Sequence, residues 1–294
     1  MHLNSNVSFL ILRSIEASSR TSNIGHRTLN LLRLLLLALL TAGCAVHRVT
    51  PLPNAHAHND YLHPRPLLDA LDQGFTSIEA DVHLVNGRLY VSHDAPDTTR
   101  AGTLRERYLE PLRQRVARHR GAVYPGSREP LLLLVDLKTE AEATYAALRG
   151  QLLPYRDLLV RTEGNRVVPG PVRVVLSGNR PTATVRGEAQ RLVAIDGRPA
   201  DLDSAVDASL MPLISYNYTH LVRWNGVGEM PATERATLQT LAERTHAQGK
   251  KLRLWATPED ERVWQALRDV GVDYLNTDQL ERLRRFLGGA KGGK

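Results

Sequence analysis

The sequence has one cysteine, Cys44, in 294 residues. A single thiol forms no internal disulfide and supplies no thiolate metal site, so disulfide scaffolds and cysteine-based zinc folds are excluded. The chain also lacks the roughly 20 consecutive apolar residues that a membrane-spanning helix needs. The run after Arg33 is only about ten residues long. There is no internal repeat, no low-complexity linker after Cys44 and no long basic run. The formal net charge of +7 comes without any nucleic-acid motif, so nucleic acid is not an expected partner.

What is present begins with an N-terminal part unlike the rest. Residues 1–30 are rich in Ser, Asn and Thr with scattered Arg, and "LLRLLLLALLTAGC" follows. A basic flank, a short apolar run and small residues describe a secretory signal. Cys44 directly after Thr41-Ala42-Gly43 looks like the lipobox of bacterial lipoproteins. The expectation is therefore a signal peptide over 1–43, lipidation at Cys44 and a tether over 44–53. The chain is then placed at a bacterial cell envelope, lipid-anchored on the periplasmic side or at the outer membrane. The leader carries four Arg and one Glu, so the remaining 251 residues keep +4 of the charge. That mild excess suits an anionic small substrate or membrane surface.

A length of 251 matches the roughly 250 residues of a (β/α)8 barrel. Short apolar runs predict strands at 54–58, 76–82, 131–136, 172–176, 192–195, 213–216, 251–255 and 274–277. "LLLLVDLK" and "VRVVLSGN" are near-continuous, as expected for parallel strands buried on both faces. Helical patterns fall at 66–73, 140–153, 231–248, 259–270 and 279–287. The alternation predicts an α/β fold, a (β/α)8 TIM barrel over 54–288, monomeric, with a disordered tail over 289–294. Asn86-Gly87 in "DVHLVNGRLYVSHD" is a hairpin signal, so a small β-hairpin insertion is expected after strand 2.

In such barrels catalytic groups sit at the carboxyl ends of strands. Glu79 and Asp81 in "SIEADVHL" are two apart, so they share a face. Two like charges there call for a cation, and oxygen ligands suit Mg2+ or Ca2+; a surface ladder with basic neighbours is the plainer alternative. "LLLLVDLK" repeats the device with Asp136 and Lys138. Asp136 either caps a helix or completes the cation site, and Lys138 beside it can meet a substrate phosphate. His93, returned by the hairpin, and His58, at the end of the first strand, make two imidazoles for general acid/base cleavage of a phosphodiester.

Together, His58, "IEADV", "HD", "DLK", "LWAT" and "GVDYLNTD" resemble the glycerophosphodiester phosphodiesterase and PI-phospholipase-C-like barrel superfamily. "HNDYLHPRPLLDAL" is similar to the branch that includes the altered-inheritance-of-mitochondria proteins. The resemblance covers about residues 56–280. It implies a phosphoric diester hydrolase with His58 and His93 as acid/base pair and Glu79, Asp81 and Asp136 as ligands of a divalent cation. Lys138 would contact the phosphate and Trp255 would line the pocket. The substrate would be a glycerophosphodiester or related phospholipid-derived diester. Arg180, just past a strand end, and His56 are further substrate-binding candidates; a solvated turn arginine is the even alternative for Arg180.

Glycerophosphodiesterases carry His-Arg-Gly and then Glu-Asn-Thr after the first strand, whereas this chain has His58-Asn59-Asp60. The missing carboxylate resembles the sparser metal site of the related phospholipase-D toxins. Asn59 or Asp60 is the candidate to compensate. Two other functions compete. One is a different TIM-barrel metallohydrolase using His56 and His58 as ligands, but the later histidines, His119, His220 and His246, end no strongly apolar strand. The other is a catalytically inactive envelope binding protein.

Overall fold

The computed structural model describes residues 49–289. The expected leader and Cys44 lie outside the described residues, as do residues 290–294 of the expected tail. The strands, in chain order, are β1 (Leu52–Ala57), β2 (Phe75–Val85), β3 (Arg88–Val91), β4 (Leu131–Leu137), β5 (Arg161–Glu163), β6 (Arg166–Val168), β7 (Val172–Gly178), β8 (Gln190–Arg191), β9 (Ala194–Gly197), β10 (Leu213–Asn217), β11 (Lys251–Trp255) and β12 (Tyr274–Thr277). The helices are α1 (Leu68–Asp72), α2 (Glu110–Arg118), α3 (Ala141–Leu152), α4 (Thr182–Gly187), α5 (Ala232–Ala247), α6 (Glu261–Asp269) and α7 (Leu280–Gly289).

Eight parallel strands close on themselves in the order β1, β2, β4, β7, β9, β10, β11, β12 and back to β1. This is the TIM barrel expected from the alternation. β1 starts at Leu52, which pairs with Phe75, so the barrel takes in the last two residues of the expected tether. β2 runs on to Val85 and pairs antiparallel with β3. Asn86 and Gly87 between them both have positive φ, 49° and 76°, the type I′ geometry that matches strand twist. Not foreseen were α2, α4 and a three-stranded antiparallel sheet of β6, β5 and β8.

The strand alternation sorts side chains into two apolar cores. In β2, Ile78, Ala80 and Val82 face outward into the large core shared with the helices. Inside the barrel a separate plug consists of Leu132, Leu134, Val175, Ala194, Leu213 and Tyr274. Two residues further along five of these strands, the same inward face turns polar: Asp136, Ser177, Asp196, Ser215 and Asn276. All but Asp136 are buried. The period of two thus puts a polar layer directly above the plug, toward the carboxyl ends of the strands. His56, Ser77, Glu79, Asp81 and Arg253 join that layer.

The turn after β1 is held by Asp60, which is fully buried. Its Oδ2 accepts from the Leu67 backbone N–H and, at 2.9 Å, from the Tyr108 hydroxyl. Its Oδ1 is buried without a hydrogen-bond partner. Burial pushes the carboxyl up to about 6, against the two hydrogen bonds. An unfolded Asp ionises near 3.8. Between these values the folded state holds the extra proton, so stability falls as pH rises from about 4 to 6 and is level above. Asp60→Asn is expected to remove that slope. Its stability relative to wild type should rise by up to roughly 3 kcal/mol from pH 4 to pH 8, at about 1.36 kcal/mol per pKa unit. Urea unfolding at the two pH values checks it, and an equal difference at both would contradict it.

Candidate active site

The acidic centre comes from two adjacent strands in one register. Asp81 and Asp136 are direct partners across β2 and β4, and Glu79 lies two residues before Asp81. One carboxylate oxygen from each lies within 4.8 Å of the other two. Lys138 follows Asp136 on the same face, its backbone N–H donating to Val82 O at 2.9 Å. Its ammonium sits 2.9 Å from Asp81 Oδ2 and 3.1 Å from Asp136 Oδ1. Gly178 on β7 permits this packing. Its φ is +65°, and a Cβ there would run into Asp136 Oδ1.

Glu79 is held by a residue that the sequence reading missed. Arg253, in mid-β11 and almost fully buried, donates to Glu79 Oε2 at 2.7 Å and to Asn276 Oδ1 at 3.0 Å. Burial raises the Glu79 pKa, but Arg253 and the hydrogen bond from His56 outweigh it and hold the carboxyl well below its usual range. The signal was an arginine inside "KLRLW", on the inward face between Leu252 and Leu254.

His56 is fully buried, with Nδ1 2.7 Å from Ser77 Oγ and Nε2 3.2 Å from Glu79 Oε2. Burial, with Arg253 nearby, lowers its pKa to about 3, so the ring is neutral. A neutral ring with Nε2–H donating to Glu79 and Nδ1 accepting from Ser77 uses both nitrogens. Both ring nitrogens are thus engaged within the protein, which weighs against the expected role of His56 as a substrate contact. This equally opposes the alternative in which His56 ligates a metal.

His58 stands at the mouth. Its backbone N–H extends the β1–β12 ladder to Thr277 O at 3.0 Å, and its Nδ1 lies 2.8 Å from Asp278 Oδ1. Asn59 Nδ2 is 2.9 Å from the same Nδ1. The ring is 30% exposed. Burial lowers the His58 pKa, yet the bond to Asp278 and the charge of Glu79 prevail and the net shift is upward. An Asp-held Nδ1 leaves Nε2 for a substrate. Tyr61 links this turn to the acidic centre, its hydroxyl 2.8 Å from Asp81 Oδ2 and 2.6 Å from Asn59 Oδ1. Asp278 and Tyr61 were not foreseen individually, although both lie in quoted motifs.

The other expected residues are more scattered. Ser92 N–H bonds to Asp81 O at 3.2 Å, so the hairpin does return beside β2. His93, however, is 62% exposed with Asp94 3.2 Å away, and it makes no hydrogen bond or ion pair to the acidic centre. Trp255 ends β11, 38% exposed. Arg180 lies half-buried after β7. Asp60 serves the turn described above and is no part of the three-carboxylate group; Asn59 bonds to His58 and Tyr61.

The three carboxylates fit a hard divalent cation. All donors are oxygen, as Mg2+ and Ca2+ prefer. Asp81 Oδ1 is buried with no hydrogen-bond partner, and burial, with Glu79 beside it, pushes the Asp81 carboxyl up to about 6. A carboxylate with one oxygen unpartnered and its charged form disfavoured is what an added positive charge relieves.

A barrel of this kind is seen in the crystal structure of a glycerophosphodiester phosphodiesterase from Parabacteroides distasonis. It aligns with a TM-score of 0.53 at 16% identity, over 81% of this chain and 98% of its own, which shows the fold. Residues 251–281 match the glycerophosphoryl diester phosphodiesterase family, and residues 45–196 match the AIM6-like phosphodiesterase domain. Altered inheritance of mitochondria protein 6 from Eremothecium gossypii is 30% identical over 273 residues, covering 81% of this chain and 70% of the relative. Its homolog from Arthroderma benhamiae is 28% identical, covering 81% and 84%. The chain belongs to the AIM6-like phosphodiesterase domain family, a branch of the glycerophosphodiesterase-like barrels. At the family level its class is phosphoric diester hydrolase.

These relatives are fungal, and they overturn the bacterial-envelope localisation. A basic flank and a short apolar run are a pattern that identifies no particular membrane.

Proposed function

We propose that the chain is a metal-dependent phosphodiesterase acting on a glycerophosphodiester or a related phospholipid-derived diester. The observation that carries this is the convergence of Glu79, Asp81 and Asp136 within 4.8 Å, with Lys138 against two of them. These three carboxylates would hold Mg2+ or Ca2+, which supplies charge neutralisation for the phosphoryl oxygens. Lys138 places a second positive charge on the same face, toward a phosphate at the mouth. His58, oriented by Asp278, moves a proton at Nε2, and His93 on the hairpin serves the other oxygen. Arg253 and His56 fix Glu79 from below.

One observation favours a second reading, a barrel that binds without cleaving. Each carboxylate already has an internal partner: Arg253 for Glu79, and Lys138 for both Asp81 and Asp136. A panel of phosphodiesters, phosphomonoesters and amides, offered with Mg2+ or Ca2+ to the wild type and to Glu79→Ala, separates the readings. Cleavage of diesters alone, lost in the variant, supports the phosphodiesterase. Cleavage only of monoesters or amides, or diester cleavage that the variant keeps, sinks it. Diester binding without turnover supports the second reading.

A further inference from the structure

The polar ring continues past Asp136 on the side away from Glu79. Ser177 partners Asp136 across β4 and β7, and its hydroxyl donates to Asp196 Oδ2 on β9 at 2.9 Å. Arg198 donates to the same oxygen at 2.8 Å and also to Gly197 O at 2.9 Å. Arg198 is thus an anchored cation at the mouth. Arg180, two residues past Gly178, is not anchored in this way. Its side chain makes one long bond, from a terminal nitrogen to Gly178 O at 3.3 Å, and its Nε is buried with no partner. It forms no ion pair among the described residues.

Three carboxylates lie within electrostatic reach of Arg180, and none of them bonds to its side chain. Arg198 and Ser177 hold Asp196 Oδ2, the Arg198 backbone N–H holds Asp201, and Lys138 holds Asp136. Burial and the neighbouring Arg198 both lower the Arg180 pKa from its usual high value, and the guanidinium keeps its charge without an acid to offset it. A half-buried guanidinium with no acid bonded to it, near enough to a second guanidinium to feel its charge, is stabilised by an added anion. Two guanidinium groups match a dianion better than a singly charged group.

We propose that Arg180, with Arg198 beside it, binds a phosphomonoester carried by the substrate, on an alcohol flanking the scissile phosphodiester. The proposal rests on the phosphodiesterase reading and narrows its substrate class. Ser177 and Asp196 lie one and two strands from Asp136, so this subsite is roughly 5–10 Å from the acidic centre at the usual strand spacing. A three-carbon alcohol bearing two phosphates spans the near end of that range. The subsite prefers such diesters to neutral or quaternary-ammonium ones.

The test compares glycerophosphoglycerol with the same diester bearing a terminal phosphomonoester, and with glycerophosphocholine, in Mg2+ or Ca2+. The wild type is expected to favour the phosphorylated diester by about tenfold or more in kcat/KM, with glycerophosphocholine poorest. Arg180→Met brings the ratio of the first two close to one, mainly through KM, and Arg180→Lys restores part of it. Arg180 has one long hydrogen bond to lose, so the variants should fold, which circular dichroism verifies. A wild-type ratio near one, or a ratio that Arg180→Met leaves intact, overturns the proposal. If no diester is cleaved, the catalytic reading fails on its own, and calorimetric titration with glycerol 3-phosphate in EDTA decides the subsite. Binding that weakens about tenfold in Arg180→Met supports it, and equal binding or none in the wild type overturns it.

Discussion

Replacing Arg253 by methionine is expected to lower the free energy of unfolding by about 3–5 kcal/mol, the usual cost of stranding one partner of a buried ion pair. Arg253 and Glu79 are both almost wholly removed from water, so the remaining carboxylate has no solvent to turn to. His56 still donates one hydrogen bond to Glu79, but a neutral imidazole does not replace the charge. For a domain of this size the loss corresponds to a fall in Tm on the order of 10 °C. The double variant Arg253→Met, Glu79→Gln should recover most of it, because no uncompensated charge is left. Thermal unfolding of the two proteins checks both statements. A single variant within about 1 kcal/mol of wild type would show that the pair contributes little.

Replacing His58 by alanine is expected to lower kcat for diester cleavage by about 10²–10⁴, the usual worth of a positioned general acid or base. KM should change much less, since His58 stands beside the acidic centre without belonging to it. Asp278→Asn should act in the same direction by releasing Nδ1. It also gives a pH signature. The hydrogen bond to Asp278 raises the His58 pKa, so its loss should move the limb of the pH–rate profile that reports His58 to lower pH. Wild-type kcat in His58→Ala, or a profile that Asp278→Asn leaves in place, would remove His58 from the chemistry.

Much of the architecture was legible because barrel strands buried on both faces read as apolar runs. "LLLLVDLK" and "VRVVLSGN" became β4 and β7 nearly as expected, and the alternation of Glu79 and Asp81 with Ile78 and Ala80 placed both carboxylates inward. The small antiparallel sheet was not legible, since β5, β6 and β8 have two or three residues each and carry no period. α2 follows a π-helical turn at Arg105–Leu109 in a stretch dense with arginine, which masks its apolar face.

The site divides along similar lines. Residues two apart on one strand could be grouped by periodicity, which brought out Glu79 with Asp81 and Asp136 with Lys138. Partners on distant strands could not. Arg253 reaches Glu79 across 174 positions, and Asp278 reaches His58 across 220. His56 shows the limit of reading type from position: it was a candidate to bind substrate, but Ser77 and Glu79 occupy both of its nitrogens. Asp60 likewise has the chemistry of a ligand and the surroundings of a structural acid.

Glu79, Asp81 and Asp136 are proposed to hold the cation on which diester cleavage depends. The direct measurement is the initial rate of diester hydrolysis in EDTA, and again after Mg2+ or Ca2+ is restored, for wild type and Asp81→Asn. The predicted result is wild-type activity abolished by EDTA and recovered with the cation. A folded Asp81→Asn should stay roughly 10³-fold or more below wild type at any cation concentration, as expected when several kcal/mol of charge stabilisation are lost. Hydrolysis that persists in EDTA, or an Asp81→Asn protein that cleaves like wild type, would contradict it.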